Sequence, residues 1–297
     1  SIKGGSLDIT TGNGSAAASA ANMDPWGGTM TNTAPATGTS TRALKANGPV
    51  IITGGTMTID SADDAIHSDD SIRINSGTIT ASTGDDGVHA NSTLTVNGGT
   101  ITITKCYEGL EAKAITINNG TIHITARDDG INAADGSGGF MMQGGAGPGR
   151  NAAATSGSGS SLAVNGGYIY VDASGDGIDV NGPITMTAGT VIINGPTSNG
   201  DGALDYDGSF TMDGGYLVAA GSSGMALAPS SSSSQYSVMV NFPFAQSAGT
   251  MVHIETDDGE DLLTFVPTKT FRSVVLSSPQ LEKGMTCSVY TGGSYSS

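Results

Sequence analysis

One pattern recurs along most of the chain with a spacing near 22 residues, and it constrains the fold more than any other feature. It reads SIRINSGTITASTGDDGVHAN from Ser71, STLTVNGGTITITKCYEGLEAK from Ser92 and AITINNGTIHITARDDGINAA from Ala114. It resumes as SLAVNGGYIYVDASGDGIDVN from Ser161 and PITMTAGTVIINGPTSNGDGALDYD from Pro183, with outer copies starting at Pro49 and Ser209. A divergent first copy includes GGSLDIT and ALKA. Each copy holds three short segments of period-two alternation, such as Val88/Ala90, Leu94/Val96 and Ile101/Ile103, separated by Gly, Asn or Asp corners. Three strands and three turns in about 22 residues make one coil of a parallel β-helix. Leucine-rich repeats share the period but need a run of leucines that is absent, and the calcium-binding β-roll needs a nine-residue period.

Seven or eight such coils, about 4.8 Å apart, predict an all-β, right-handed parallel β-helix roughly 35 to 40 Å long. A narrow coil accounts for 46 Gly and only 5% aromatic residues beside 37% apolar ones. Collagen is excluded because the glycines have no period of three, and a membrane-spanning helix because no apolar run approaches ~18 residues. Gly55, Gly77, Gly99, Gly120, Gly167, Gly189 and Gly215 recur at one corner. Asn75, Asn97, Asn118 and Asn165 precede it as a column expected to form a stacked ladder. The interior is expected to admit only Val, Ile, Leu, Ala and Met, with no rings. The helix is expected over residues 1–229, with loop insertions at 12–41, containing Asp24-Pro25-Trp26, and at 135–160. The serine run Ser230–Ser234 reads as a linker to an antiparallel β cap over 235–297, with a turn at Asp257-Asp258-Gly259.

Stacked copies turn alignment columns into lines on the surface. One line contains Asp64, Asp86, Glu108, Asp129 and Asp176; beside it run Asp63, Asp85, Tyr107, Asp128 and Asp201. Three residues past the first come His67, His89, Glu111, Asn132, Asp179 and Asp205. These side chains are expected to point outward, because Ile66, Val88, Leu110, Ile131, Ile178 and Leu204 alternate with them. Carboxylates repeated at about 4.8 Å repel by roughly 3.5 kcal/mol per adjacent pair at an effective dielectric near 20. Arg73, Lys105, Lys113 and Arg127 are too few to neutralise them. Acidic turn residues that merely solvate the face are the simplest account, but paired carboxylates in successive copies favour bound cations. Ca²⁺ suits oxygen-only sites; Mg²⁺ demands a more compact octahedron, and Zn²⁺ has only His67 and His89 to recommend it. The formal net charge of −16 repels nucleic acid and anionic lipid.

The runs SADDAIHSDDSIRINSGTITASTGDDGVHANSTLTVNGGTITITKCYEGLEA, NGPTSNGDGALDYDGSF and the terminal YTGG resemble a secreted bacterial carbohydrate-binding domain family. The family folds as a right-handed parallel β-helix and is related to polysaccharide lyases. The resemblance covers the coils and the tail from about Gln235. It implies Ca²⁺ on the acidic face and binding of cellulose and polygalacturonate-type acidic glycans, with bound cations bridging uronate carboxylates. The relation to calcium pectate lyases carries ligand roles to Asp128, Asp129, Asp176 and Asp179, with Asn132 replacing a carboxylate in one copy. The catalytic base does not transfer cleanly, and Lys113 or Lys105 would have to serve; local charge balance is their plainer role.

The resulting expectation is a noncatalytic, calcium-dependent binder of cell-wall polysaccharides. Its metal ligands are drawn from Asp63, Asp64, Asp85, Asp86, Glu108, Glu111, Asp128, Asp129, Asp176, Asp179, Asp201 and Asp205. Its glycan contacts are His67, His89, Tyr107, Lys113 and Arg127. A calcium-dependent lyase acting by β-elimination and a structural adhesin or stalk are the alternatives. Cys106 and Cys287 are expected as free thiols, with a disulfide between them as the alternative. The chain, starting at Ser1 without an apolar leader, reads as a processed secreted or cell-surface monomer that does not insert in a membrane.

Overall fold

A computed structural model describes residues 1–16, 41–134 and 159–293; Trp26 and most of both expected insertions lie outside them. The chain forms a parallel β-solenoid of about seven turns of ~22 residues, completed by a small antiparallel sheet. Three ladders run its length. The first stacks Ser6–Thr11 on Val50–Ser61 and proceeds through Ser71–Thr83, Thr100–Cys106, Thr121–Ala126, Tyr168–Ala173 and Thr190–Asn194 to Tyr216–Gly221. The second begins at Leu44–Ala46 and Ile66–Ser68 and ends at Leu204–Tyr206; the third ends at Phe210–Met212. GGSLDIT and ALKA therefore do form the first, divergent coil.

Alternation sends Ile79, Ile101, Ile122 and Ile169 into one continuous interior while their neighbours face out. The seven corner glycines all have positive φ, and at Gly99 (φ 98°) an added Cβ would also lie 2.7 Å from the carbonyl oxygen of Gly77. The asparagine ladder is present as side-chain bonds: Asn97 donates to Asn75 at 2.7 Å, Asn118 to Asn97 at 2.7 Å and Asn165 to Asn118 at 2.9 Å.

Two expectations are corrected at the C-terminal end. Phe210 is buried inside the coil, edge-on to Tyr206, so the interior is not free of rings. It sits in the last rung of its ladder, where the next layer is irregular chain instead of another narrow coil. That layer is the serine run, which is no mere linker: Ser230 and Ser233 Oγ accept the Phe210 and Met212 N–H groups at 2.9 Å. Beyond it, Phe271–Ser277 pairs antiparallel with both Tyr216–Gly221 and Ser237–Gln246, closing the first ladder's exposed edge. Val252–Thr256 is the centre of a separate antiparallel sheet with Asp261–Phe265 and Cys287–Thr291. The Asp257-Asp258-Gly259 turn closes as expected, with Gly259 N–H on the Thr256 carbonyl. Cys106 and Cys287 are free thiols.

Candidate functional site

The acidic residues occupy the corner between the first and second ladders. The glycine that follows the paired columns at this corner is required by close approach, not by φ: at Gly109, after Tyr107 and Glu108, an added Cβ would lie 2.3 Å from the carbonyl oxygen of Gly130 and 2.5 Å from Ile124 Cγ2. Each coil's turn thus rests directly on the next, and the carboxylates stitch them together. Asp86 N–H donates to Asp64 Oδ1 and Glu108 N–H to Asp86 Oδ1, both at 3.3 Å. Asp176 N–H donates to Asp129 Oδ1 at 2.7 Å, and Gly202 N–H to Asp176 Oδ1 at 2.5 Å. One oxygen of each of these four carboxylates is therefore structural. At the start of the column Asp64 and Asp86 are buried beneath the Arg42, His67 and His89 side chains of the same outer face.

The third column is in register throughout: Lys45, His67, His89, Glu111, Asn132, Asp179 and Asp205 are successive Cα partners. Its N-terminal half carries its own cations. Arg42 Nε lies 2.8 Å from Asp64 Oδ2, and His67, itself buried, bridges Asp64 Oδ2 at 2.7 Å and Asp69 Oδ1 at 2.9 Å. His89 Nδ1 lies 3.0 Å from Asp86 Oδ2 and 2.5 Å from Glu111 Oε2. Burial alone would lower the pKa of His89, but these two carboxylates override it and raise it to about 10. Arg42, Lys45, Asp69 and Asn91, which meets His89 Nε2 at 3.1 Å, are absent from the residues picked out by sequence. Aligning RALKA with DAIHS places Arg42 above Asp64 and Lys45 above His67, so the sequence did contain the signal.

No comparable compensation reaches the other half: among the described residues no ion pair involves Asp128, Asp129, Asp176, Asp179, Asp201 or Asp205. Burial first, then neighbouring carboxylates, push Asp129 up to about 8, Asp176 to about 7 and Asp179 to about 6. Glu108 rises to about 9 and Asp85 to about 7 for the same reasons. Asp129, Asp176 and Asp179 bring one oxygen each within 4.8 Å of one another, and three groups at the other end do likewise: Asp64/His67/His89, Asp86/His89/Glu111 and Asp63/Asp64/Asp85. Asn132, one register step from Asp179, donates its Nδ2 to Glu108 at 2.9 Å, while its buried Oδ1 has no hydrogen-bond partner among the described residues. An orphaned acceptor beside all-oxygen donors fits a hard cation. Asp201 instead accepts from Ser198, and Asp205 stacks on Asp179 without joining the cluster.

The proposed glycan contacts fall into different surroundings. Tyr107 is exposed, with the Arg127 guanidinium 5.7 Å above its ring and Arg127 Nη2 on the Gly84 carbonyl at 2.8 Å. Its hydroxyl interacts with Asp128, which raises its pKa. His89 is partly exposed, whereas His67 is enclosed by its carboxylates. Lys105 donates to the Ser15 carbonyl at 2.7 Å, and Lys113 runs alongside Gly159.

Comparison with curated proteins and with solved structures returns no match. The family described as carbohydrate-binding domain-containing protein matches residues 1–87 and 85–203, the stretch that carries all the coils but the last and nearly all of the acidic columns. The chain belongs to this carbohydrate-binding domain family.

Proposed function

We propose that the solenoid is a calcium-dependent binding module for acidic cell-wall polysaccharides, with Ca²⁺ on its carboxylate corner bridging to uronate groups of polygalacturonate-like chains. The observation that carries this reading is the uncompensated cluster of Asp129, Asp176 and Asp179 beside the orphaned Asn132 Oδ1. Each structural carboxylate there keeps its second oxygen, so an ion could be held without unstitching the coils. Ca²⁺ takes six to eight oxygens, more than the cluster supplies, which leaves coordination positions for a glycan carboxylate. Tyr107 and Arg127, exposed on the adjacent column, supply a ring face and a cation for the same chain. A secreted or cell-surface location suits such a ligand.

Of the two lysines a lyase could use as base, Lys105 has its amine engaged with the Ser15 carbonyl, which leaves Lys113 as the candidate for that alternative reading. Binding to immobilised polygalacturonate is expected in millimolar CaCl₂ and is expected to vanish in EDTA. Retention unchanged by EDTA would overturn the calcium bridge, and steady release of unsaturated uronate product would overturn the noncatalytic reading.

A further inference from the structure

Building corners from asparagine and glycine leaves the dipeptide Asn-Gly at eight places in the chain, all within the described residues. The pair is chemically labile, because the glycine nitrogen can attack the asparagine side-chain amide and no Cβ on the glycine stands in the way. Attack needs two freedoms: a side chain able to turn toward the backbone, and a peptide N–H that is not held elsewhere.

Six of the eight lack one or both. Asn97 and Asn165 have their amides fixed in the asparagine ladder. Asn194 is buried, with Nδ2 on the Tyr170 hydroxyl at 3.1 Å and Oδ1 accepting the Thr268 N–H at 2.9 Å. In three others the glycine N–H is taken: Gly14 donates to the Thr11 carbonyl at 2.8 Å, Gly182 to the Val180 carbonyl at 2.7 Å and Gly120 to the Asn119 side-chain oxygen at 2.8 Å. Asn47 is freer, but the carbonyls on either side of it are tied, Ala46 to the Asp69 N–H and Gly48 to Ser68 Oγ, both at 2.9 Å.

Asn199 differs from all of these. Residues 197–200 are exposed, and among the described residues neither the Asn199 amide nor the Gly200 N–H makes a hydrogen bond. The space around Gly200 is open, since the atom nearest to an added Cβ, Ser198 Oγ, is 4.0 Å away. The Asn199 backbone meanwhile rests on the following turn, its carbonyl oxygen 2.5 Å from where a Cβ on Gly224 would stand.

We propose that Asn199-Gly200 is a site of spontaneous backbone modification, passing through a succinimide to aspartate and isoaspartate. The Gly200 nitrogen bonds to Asn199 Cγ, the Cγ–Nδ2 bond breaks, and Nδ2 leaves as ammonia with the proton displaced from the Gly200 nitrogen. Water then opens the ring. Breaking the new N–Cγ bond restores the original backbone with a carboxylate at Cγ; breaking the bond from nitrogen to the Asn199 backbone carbonyl carbon routes the chain through Cβ and Cγ. Either product places a new negative charge two residues before Asp201, whose Oδ2 accepts from Ser198 Oγ at 2.7 Å. The unneutralised end of the acidic corner therefore gains charge as the protein ages, and the isoaspartate form lengthens the segment that rests on Gly224. The proposal does not depend on the calcium reading.

The test incubates the folded full chain in mildly alkaline heavy-oxygen water, digests it in ordinary water, and maps ammonia loss and label uptake peptide by peptide. Asn199 is expected to react at least about tenfold faster than Asn97, Asn119 or Asn165, with one heavy oxygen in each product, and the difference is expected to collapse in denaturant. Gly200→Ala, which the open space accommodates, is expected to slow the reaction about tenfold. Asn199→Gln is expected to remove the signal at that position with the melting temperature unchanged. A folded protein in which Asn199 reacts no faster than the ladder asparagines, or in which another of the eight leads, overturns the proposal. So does a product at Asn199 that carries no heavy oxygen.

Discussion

Asp176→Asn has opposite expected effects with and without cation, and this makes it the most discriminating substitution. Asp176 lies in a cluster with Asp129 and Asp179, where an adjacent pair at about 4.8 Å repels by roughly 3.5 kcal/mol at an effective dielectric near 20. The side chain is partly exposed, so solvent screening reduces the realised penalty to about 1–2 kcal/mol. Burial and its like-charged neighbours raise its pKa from 3.8 to about 7, so the folded state holds the proton more tightly than the unfolded state. Stability from this group is therefore complete below about pH 4 and is lost as pH rises through about 7. In EDTA at pH 8, Asp176→Asn should raise the melting temperature by about 2–6 °C, and at pH 5 the gain should shrink toward zero. The amide oxygen can still accept Gly202 N–H, so coil stacking survives the change. Calcium is expected to reverse the order. A hundredfold excess over Kd stabilises wild type by about 2.7 kcal/mol, and a variant lacking one ligand should gain far less at the same concentration. Thermal melts at both pH values, with EDTA and with CaCl₂, read all four quantities. A variant no more stable than wild type in EDTA at pH 8, or an equal calcium shift in both proteins, would refute the reasoning.

Two further substitutions test the corner itself. Arg42→Ala takes the guanidinium from the buried Asp64 and leaves it, among the described residues, with the His67 imidazole as side-chain partner; stability should fall by about 2–3 kcal/mol, measured by urea denaturation at pH 7, and an unchanged midpoint would contradict the cationic head of the column. Gly109→Ala drives a methyl into the Gly130 carbonyl and Ile124, and about 3 kcal/mol of destabilisation is expected, whereas Gly48→Ala, with open space around it, should be silent in the same assay.

The solenoid was legible because its register is written as a period. Each of the paired columns, down to His67 beneath His89 and Asp179 beneath Asp205, follows once copies are aligned on their glycine corners. What the period does not carry is direction and depth. Asp64 and Asp129 occupy equivalent positions in the repeat, yet Asp64 is fully enclosed by Arg42 and His67 while Asp129 faces two other carboxylates. The difference comes from the first coil, where conservation of shape hides a change of chemistry: its corner residue is Arg42 instead of an acid. Phe210 and the serine layer escaped for a related reason. They lie where the repeat ends, and end layers answer to the cap, not to the neighbouring coil.

A stacked coil also explains how an acidic ladder can exist at all before any cation binds. Parallel pairing forces equivalent residues to superpose, so a corner that favours Asp in one copy builds a line of charge when repeated. The chain relieves the line in two ways. Near its N-terminus fixed cations and imidazoles neutralise it, and these cannot leave. Farther along, the raised pKa of Asp129, near 8, means that a proton occupies the cluster when nothing else does. Protons and metal ions then compete for the same oxygens, and cation affinity must rise with pH through this range, because a ligand has to be deprotonated to bind. A ladder neutralised throughout by arginine would be more stable in the absence of cation, but its carboxylate oxygens would already be committed to those arginines. On the proposed calcium-bridged reading, the unneutralised half of the corner is the half that responds to calcium, and the bridged glycan lies on the Asp129/Asp176/Asp179 coils.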